Sequence, residues 1–160
     1  MRQGLLTDPR ITAMGLLTEA CTGVQAKLTP LLARHGLSLV DFEVLLRLAR
    51  SPGHRLRMSD LAAQTSLSTS GVTRVVDRLE RGGMVRRQPC PEDRRAAYAV
   101  ITAAGLERLD TLLPQHLADI EQWFTGLLDV EQLKALMTAL RIVRNTVRPG
   151  AEAGARPTSS

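Results

Sequence analysis

Aromatic residues are scarce: Phe42, Tyr98, Trp123 and Phe124 are the only four in 160 residues. So few rings leave little for the stacked platforms on which proteins hold single-stranded nucleic acid, and that class is not expected. The longest unbroken apolar run is the six residues from Ala96 to Ile101, far short of the roughly 18 to 20 that a membrane-crossing helix needs. Arg2 is followed by neither an apolar core nor a small-residue cleavage site, so no secretory signal is expected. Cysteine occurs twice, at Cys21 and Cys90, which make neither a disulfide framework nor a CxxC pair and point to a reducing cytoplasm. Motifs of catalysis are missing too, with no GxSxG, glycine-rich phosphate loop or HExxH, and an enzyme is not expected. His35, His54 and His116 share no ligand spacing, so neither a metal nor another cofactor is expected.

What is present is enough apolar material for a core: 44% of residues are hydrophobic and 23% charged, the balance of a globular chain. The length suits one domain, or two lobes sharing a core. The positive charge is concentrated. Residues 47–95 hold eleven arginines against five acids, while the rest of the chain has one more acid than base. A basic middle between near-neutral ends is the footprint of a polyanion binder, because phosphate contacts release counterions; a solvated charged face is the alternative. With 19 arginines and two lysines in the whole chain, the choice of arginine carries little information by itself.

Periodicity divides the chain into six helices and a hairpin. The first helix opens at Asp8-Pro9 and carries the stripe Ile11, Met14, Leu17, Cys21, Val24, Leu28 and Leu31, with Pro30 bending its last turn and Gly36 ending it. Within that stripe Cys21 reads as a small core hydrophobe. Ser38 and Asp41 cap a second helix, which ends at Ser51-Pro52-Gly53. Ser59 caps a short third helix to about Thr65, and Ser68 caps a fourth. The fourth buries Val72, Val75, Val76 and Leu79 and leaves Thr69, Ser70, Thr73, Arg74, Asp77, Arg78 and Arg81 on its other side, until Gly82-Gly83 stops it.

Met84 to Gln88 and Tyr98 to Ile101 read as strands around Pro89-Cys90-Pro91-Glu92-Asp93-Arg94-Arg95. The two prolines argue against pairing there, so that loop should project as a wing with Cys90 exposed among arginines. Thr102 caps a fifth helix bent at Pro114, and Asp129 with Gln132 caps a sixth running to Val147. In the fifth, Trp123 reads as core, interface or pocket wall.

A short helix, a tight turn and a second helix with a small polar N-terminal surface describe a helix-turn-helix, whose second helix enters the major groove. Ser68, Thr69, Ser70, Thr73 and Arg74 suit base edges; Arg78 and Arg81, further back, suit phosphates.

The run Ser59-Asp60-Leu61-Ala62, the segment Ser68 to Glu80, then Gly83-Met84-Val85-Arg86-Arg87, Asp93-Arg94-Arg95 and Ile101-Thr102-Ala103-Ala104-Gly105 together resemble the MarR family of bacterial transcriptional regulators. The resemblance implies a mainly α fold with a small β-wing, a winged helix-turn-helix with a helical dimerisation lobe. On that reading residues 1–36 are the N-terminal part of the lobe, 37–101 the DNA-binding domain, 102–148 the C-terminal helices of the lobe and 149–160 a flexible tail. It further implies a cytoplasmic homodimer that binds pseudo-palindromic duplex DNA and represses, with helix 68–81 in the major groove and wing 89–96 in the minor groove. A small lipophilic or phenolic ligand would release it. Arg95 would enter the minor groove, oriented by Asp93, with Arg94 on a phosphate. Four positions after Arg95 the family carries Val or Leu where this chain has Ala99, which predicts looser packing of the second wing strand. Two alternatives keep the same fold: a regulator switched through Cys21 or Cys90, and a winged-helix module that binds acidic protein.

Overall fold

In the computed structural model, residues 2–91 and 93–152 are described. Helices dominate: α1 (Arg2–Leu6), α2 (Pro9–Arg34), α3 (Leu39–Arg50), α4 (Met58–Thr65), α5 (Thr69–Arg81), α6 (Ala103–Trp123) and α7 (Val130–Val147). Three strands, β1 (Arg55–Arg57), β2 (Val85–Cys90) and β3 (Asp93–Ile101), form one antiparallel sheet in the order β1-β3-β2.

Local chemistry sets most helix starts. Asp8 accepts from the Arg10 amide and Pro9 occupies the first turn of α2, where its missing N–H costs nothing. Ser38 and Asp41 form a reciprocal capping box on α3, and Asp129 with Gln132 does the same on α7. Ser68 and Thr102 each accept from the amide three residues on. Pro30 and Pro114 both lie inside continuous helices.

Three boundaries differ from the sequence reading. Ser59 does not cap: α4 begins at Met58 behind Arg57, which offers no side-chain cap, because Arg55–Arg57 pairs with β3 and delivers the chain straight into the helix. The prolines do not break the hairpin. Pro89 lies on β2, an edge strand where a missing donor N–H is tolerated, and pairs with Ala97 of β3, with the register shifting just after it. The expected tail begins as structure: Pro149–Glu152 forms a helical turn that buries Ala151. Arg47 donates to the Ala151 carbonyl at 3.1 Å and Arg148 donates to that of Gln64 at 2.8 Å, so this turn docks on α3 and α4. Positions 153–160 of that expected tail lie outside the described residues.

The core centres on Leu32, Val44, Leu45, Leu48, Leu61, Val76, Leu79 and Leu112 and joins α2, α3, α4, α5 and α6 beneath the sheet. Ala99, the small residue in the second wing strand, is wholly buried in it. No residue of α7 is buried, and Cys21 on α2, read as core, is exposed in the protomer. Among the described residues no helix is long and apolar enough to cross a membrane.

Candidate nucleic-acid interface

α4, the turn 66–68 and α5 make the helix-turn-helix. Ser66 takes a left-handed φ of 54° to end α4, and the Leu67 amide donates back to the Ala62 carbonyl at 3.1 Å. Ser68 Oγ then accepts from the Gly71 amide at 3.0 Å, fixing the direction in which α5 leaves the turn. Val72, Val75, Val76 and Leu79 anchor α5 on the core, so Ser68, Thr69, Ser70, Arg74, Arg78 and Arg81 are exposed together. Thr73 is half-buried and its hydroxyl donates to the Thr69 carbonyl at 2.8 Å, which commits its proton within the helix. Arg81 Nε donates to the Asp77 carbonyl at 3.3 Å.

Arg78 has a partner of its own. It donates from Nε at 3.0 Å and Nη2 at 2.6 Å to Oδ1 of Asp41, while Asp41 Oδ2 accepts from Ser38. Burial pushes the Asp41 carboxyl up, but the bonds from Arg78 and Ser38 outweigh it and hold the group below the usual carboxylate range. The exposed half of the Arg78 guanidinium remains on the α5 surface.

The wing is fastened to α5 by Arg87. Its guanidinium donates to Asp77 Oδ1 at 2.6 Å and Glu80 Oε2 at 2.5 Å, and its backbone amide donates to Glu80 Oε1 at 2.9 Å. Beyond this clamp Arg94 and Arg95 are exposed. Asp93 accepts from the backbone amide of Arg95 at 2.9 Å, so it shapes the chain at the wing tip. Cys90, expected to be exposed there, is buried, because β2 continues through it to bridge Asp93.

The sequence reading did not find Asp41 or Arg87 as site residues. Ser38-x-x-Asp41 signals only a helix cap, and Arg87 stands in a run of arginines with nothing to distinguish it. His35, His54 and His116 do not converge, and the described residues contain no metal-binding group of three or more His, Cys, Asp or Glu. An apolar groove of about 460 Å³ lies between α2, the end of α6, the connection 124–128 and α7, with Lys27 Nζ 4.5 Å from the centre of the Trp123 ring on its wall.

The turn, the exposed polar start of α5 and the clamped β-hairpin define a winged helix-turn-helix protein. The profile of the MarR family matches residues 35–96. AbsC, a MarR family transcriptional regulator from Streptomyces coelicolor, is 36% identical with a TM-score of 0.83, over 89% of this chain and 97% of that one. Sco3205, a MarR family transcriptional regulator of the same organism solved in complex with DNA, is 35% identical with a TM-score of 0.83, over 89% and 90%. The HTH-type transcriptional regulator YkoM of Bacillus subtilis is 36% identical over 99 residues, which is 61% of this chain and 62% of YkoM. The chain thus belongs to the MarR family of transcriptional regulators.

Proposed function

We propose that the protein is a homodimeric repressor that binds a pseudo-palindromic site in duplex DNA. The start of α5, from Ser68 to Arg74, reads base edges in the major groove, Arg95 enters the adjacent minor groove, and Arg81 and Arg94 meet phosphates. The observation that carries this reading is the joint exposure of Thr69, Ser70, Arg74, Arg94 and Arg95 on two elements that Arg87 clamps together. The DNA complex of Sco3205, similar over nearly its whole length, supports it.

The dimer rests on where apolar surface is left over. Every large hydrophobic side chain exposed among the described residues belongs to α1, α2, α6, the turn 125–127 or α7, and none to the stretch 39–101. A second copy covering that surface makes residues 1–36 and 102–148 the dimerisation lobe and 37–101 the DNA-binding domain. Two recognition helices would then meet major grooves about 34 Å apart. Release by a small lipophilic or phenolic ligand completes the proposal; the groove beside Lys27 and Trp123, apolar with one ammonium, suits an aromatic acid.

Duplexes selected from a random pool test the proposal. Arg95→Ala should weaken binding to every duplex and lower the salt slope by about one, whereas Arg74→Ala should relax sequence preference at a cost of about 1–3 kcal/mol. A monomer in solution, or binding untouched by both changes, would refute it.

A further inference from the structure

The wing sheet has two faces of opposite character. Its inner face packs Leu56, Val85, Ala99 and Ile101 into the core and sends Arg87 to α5. Cross-strand register places a different set on the outer face. Arg55 and Arg86 flank Val100 in one row, and Arg57 and Gln88 flank Tyr98 in the next. Residues directly opposite on neighbouring strands share a face, so these six form one patch, on which Arg55 and Arg86 are exposed. The patch is organised. The Arg55 guanidinium carbon lies 4.6 Å from the centre of the Tyr98 ring and that of Arg57 lies 5.9 Å from it, while Val100 is buried although it belongs to this outer row.

We infer that this outer face is a second DNA-contacting surface, which binds the phosphate backbone of duplex flanking the site read by α5 and the wing tip. The inference rests on the regulator reading above and extends it. The sheet stands between α5 and this face. With α5 in a major groove and the hairpin tip in the neighbouring minor groove, the outer face looks along the duplex, away from the recognition helix. It is continuous with the interface at both ends, since β1 runs directly into α4 and β3 begins at the wing tip. The two exposed guanidiniums, Arg55 and Arg86, held on a sheet match a phosphate row in charge, and no base contact is required of them. Tyr98 acts as a positioning residue, holding the Arg55 guanidinium against its ring.

The test compares a duplex of core length with the same core extended by about one helical turn, roughly 10 base pairs, on each side. The full-length protein should bind the extended duplex about tenfold more tightly, with a salt slope steeper by about one for each phosphate contacted. An Arg55→Ala, Arg86→Ala double variant, altered only at exposed positions, should lose that gain, keep the wild-type affinity for the core duplex and keep the wild-type melting temperature. Tyr98→Phe should retain the gain and Tyr98→Leu should reduce it. A wild-type protein indifferent to the flanks, or a double variant that keeps the full gain, overturns this inference alone. A wild-type protein that binds neither duplex overturns the regulator reading and this inference with it.

Discussion

Arg78, on α5, and Asp41, in the first turn of α3, are joined by two hydrogen bonds to a single carboxylate oxygen, at 3.0 and 2.6 Å. The pair ties the orientation of α5 to the start of α3, since Asp41 is also the capping-box acid of that helix. Asp41 is almost fully buried and Arg78 half-exposed, so breaking the contact should cost less than for a pair buried on both sides. Asp41→Ala removes a cap and a charge-assisted bond together, and chemical denaturation should show a loss of about 2–3 kcal/mol. The folded carboxyl is held below its ordinary value, so its contribution is complete above about pH 4 and lost as pH falls through the folded value. Asp41→Asn should flatten that acid limb.

Arg87 should matter to binding more than to stability. Its guanidinium is 30% exposed and bridges Asp77 and Glu80, which makes it a clamp between wing and helix at modest energetic cost. Arg87→Ala should weaken duplex binding by about tenfold, the order of one charge-assisted hydrogen bond, with a small change in melting temperature. Arg87→Lys should not restore the affinity, because an ammonium cannot serve both carboxylates with a planar fork. Fluorescence anisotropy beside a thermal melt separates the two effects.

Gly105, in the first turn of α6, lies against the wing's base so closely that a Cβ would meet the Met84 carbonyl at 2.3 Å and Ile101 Cγ1 at 2.6 Å. Backbone cannot retreat as a flexible side chain can. Gly105→Ala should therefore destabilise the protein by about 1–3 kcal/mol, lowering the melting temperature by roughly 2–4 °C for each of those.

His116 on α6 sits edge-on to Phe42 of α3, with ring centres 4.6 Å apart, and is buried. Burial lowers its pKa, partly offset by the charge of Asp119. The unfolded chain takes up this proton near pH 6.5 while the folded one resists it. Stability should be full above about pH 6.5 and fall as pH drops from there toward the folded value. His116→Leu should remove this slope from a plot of stability against pH between 5 and 7; an unchanged slope would show that other groups carry it.

Most of the helical framework was legible because its causes are local. Ser38, Ser68, Thr102 and Asp129 cap helices from three residues away, and the apolar stripe of α5 has its period written in thirteen consecutive residues. The exposed start of α5 and the exposed Arg94 and Arg95 were legible for the same reason. Short elements were not. Arg55–Arg57 is too brief to carry an alternation, and it is a strand only because β3 lies beside it. Pro89 looked like a breaker, yet it lies on an edge, which strand order alone reveals.

The sequence by itself determined α2, α3, α5, α6 and α7, the turn that aims α5 and the polar surface at its start, since each follows from residues within a turn or two of one another; α1 and the start of α4 were not among them. Only the tertiary structure decided which acceptor or ring each arginine meets. Arg78 met Asp41 across 37 residues, Arg47 met the Ala151 carbonyl across 104, and Arg55 came to rest on Tyr98. A guanidinium carries the same charge wherever it stands in the chain. Its role is set by the distance to the nearest acceptor or ring, and that distance exists only once the chain has folded.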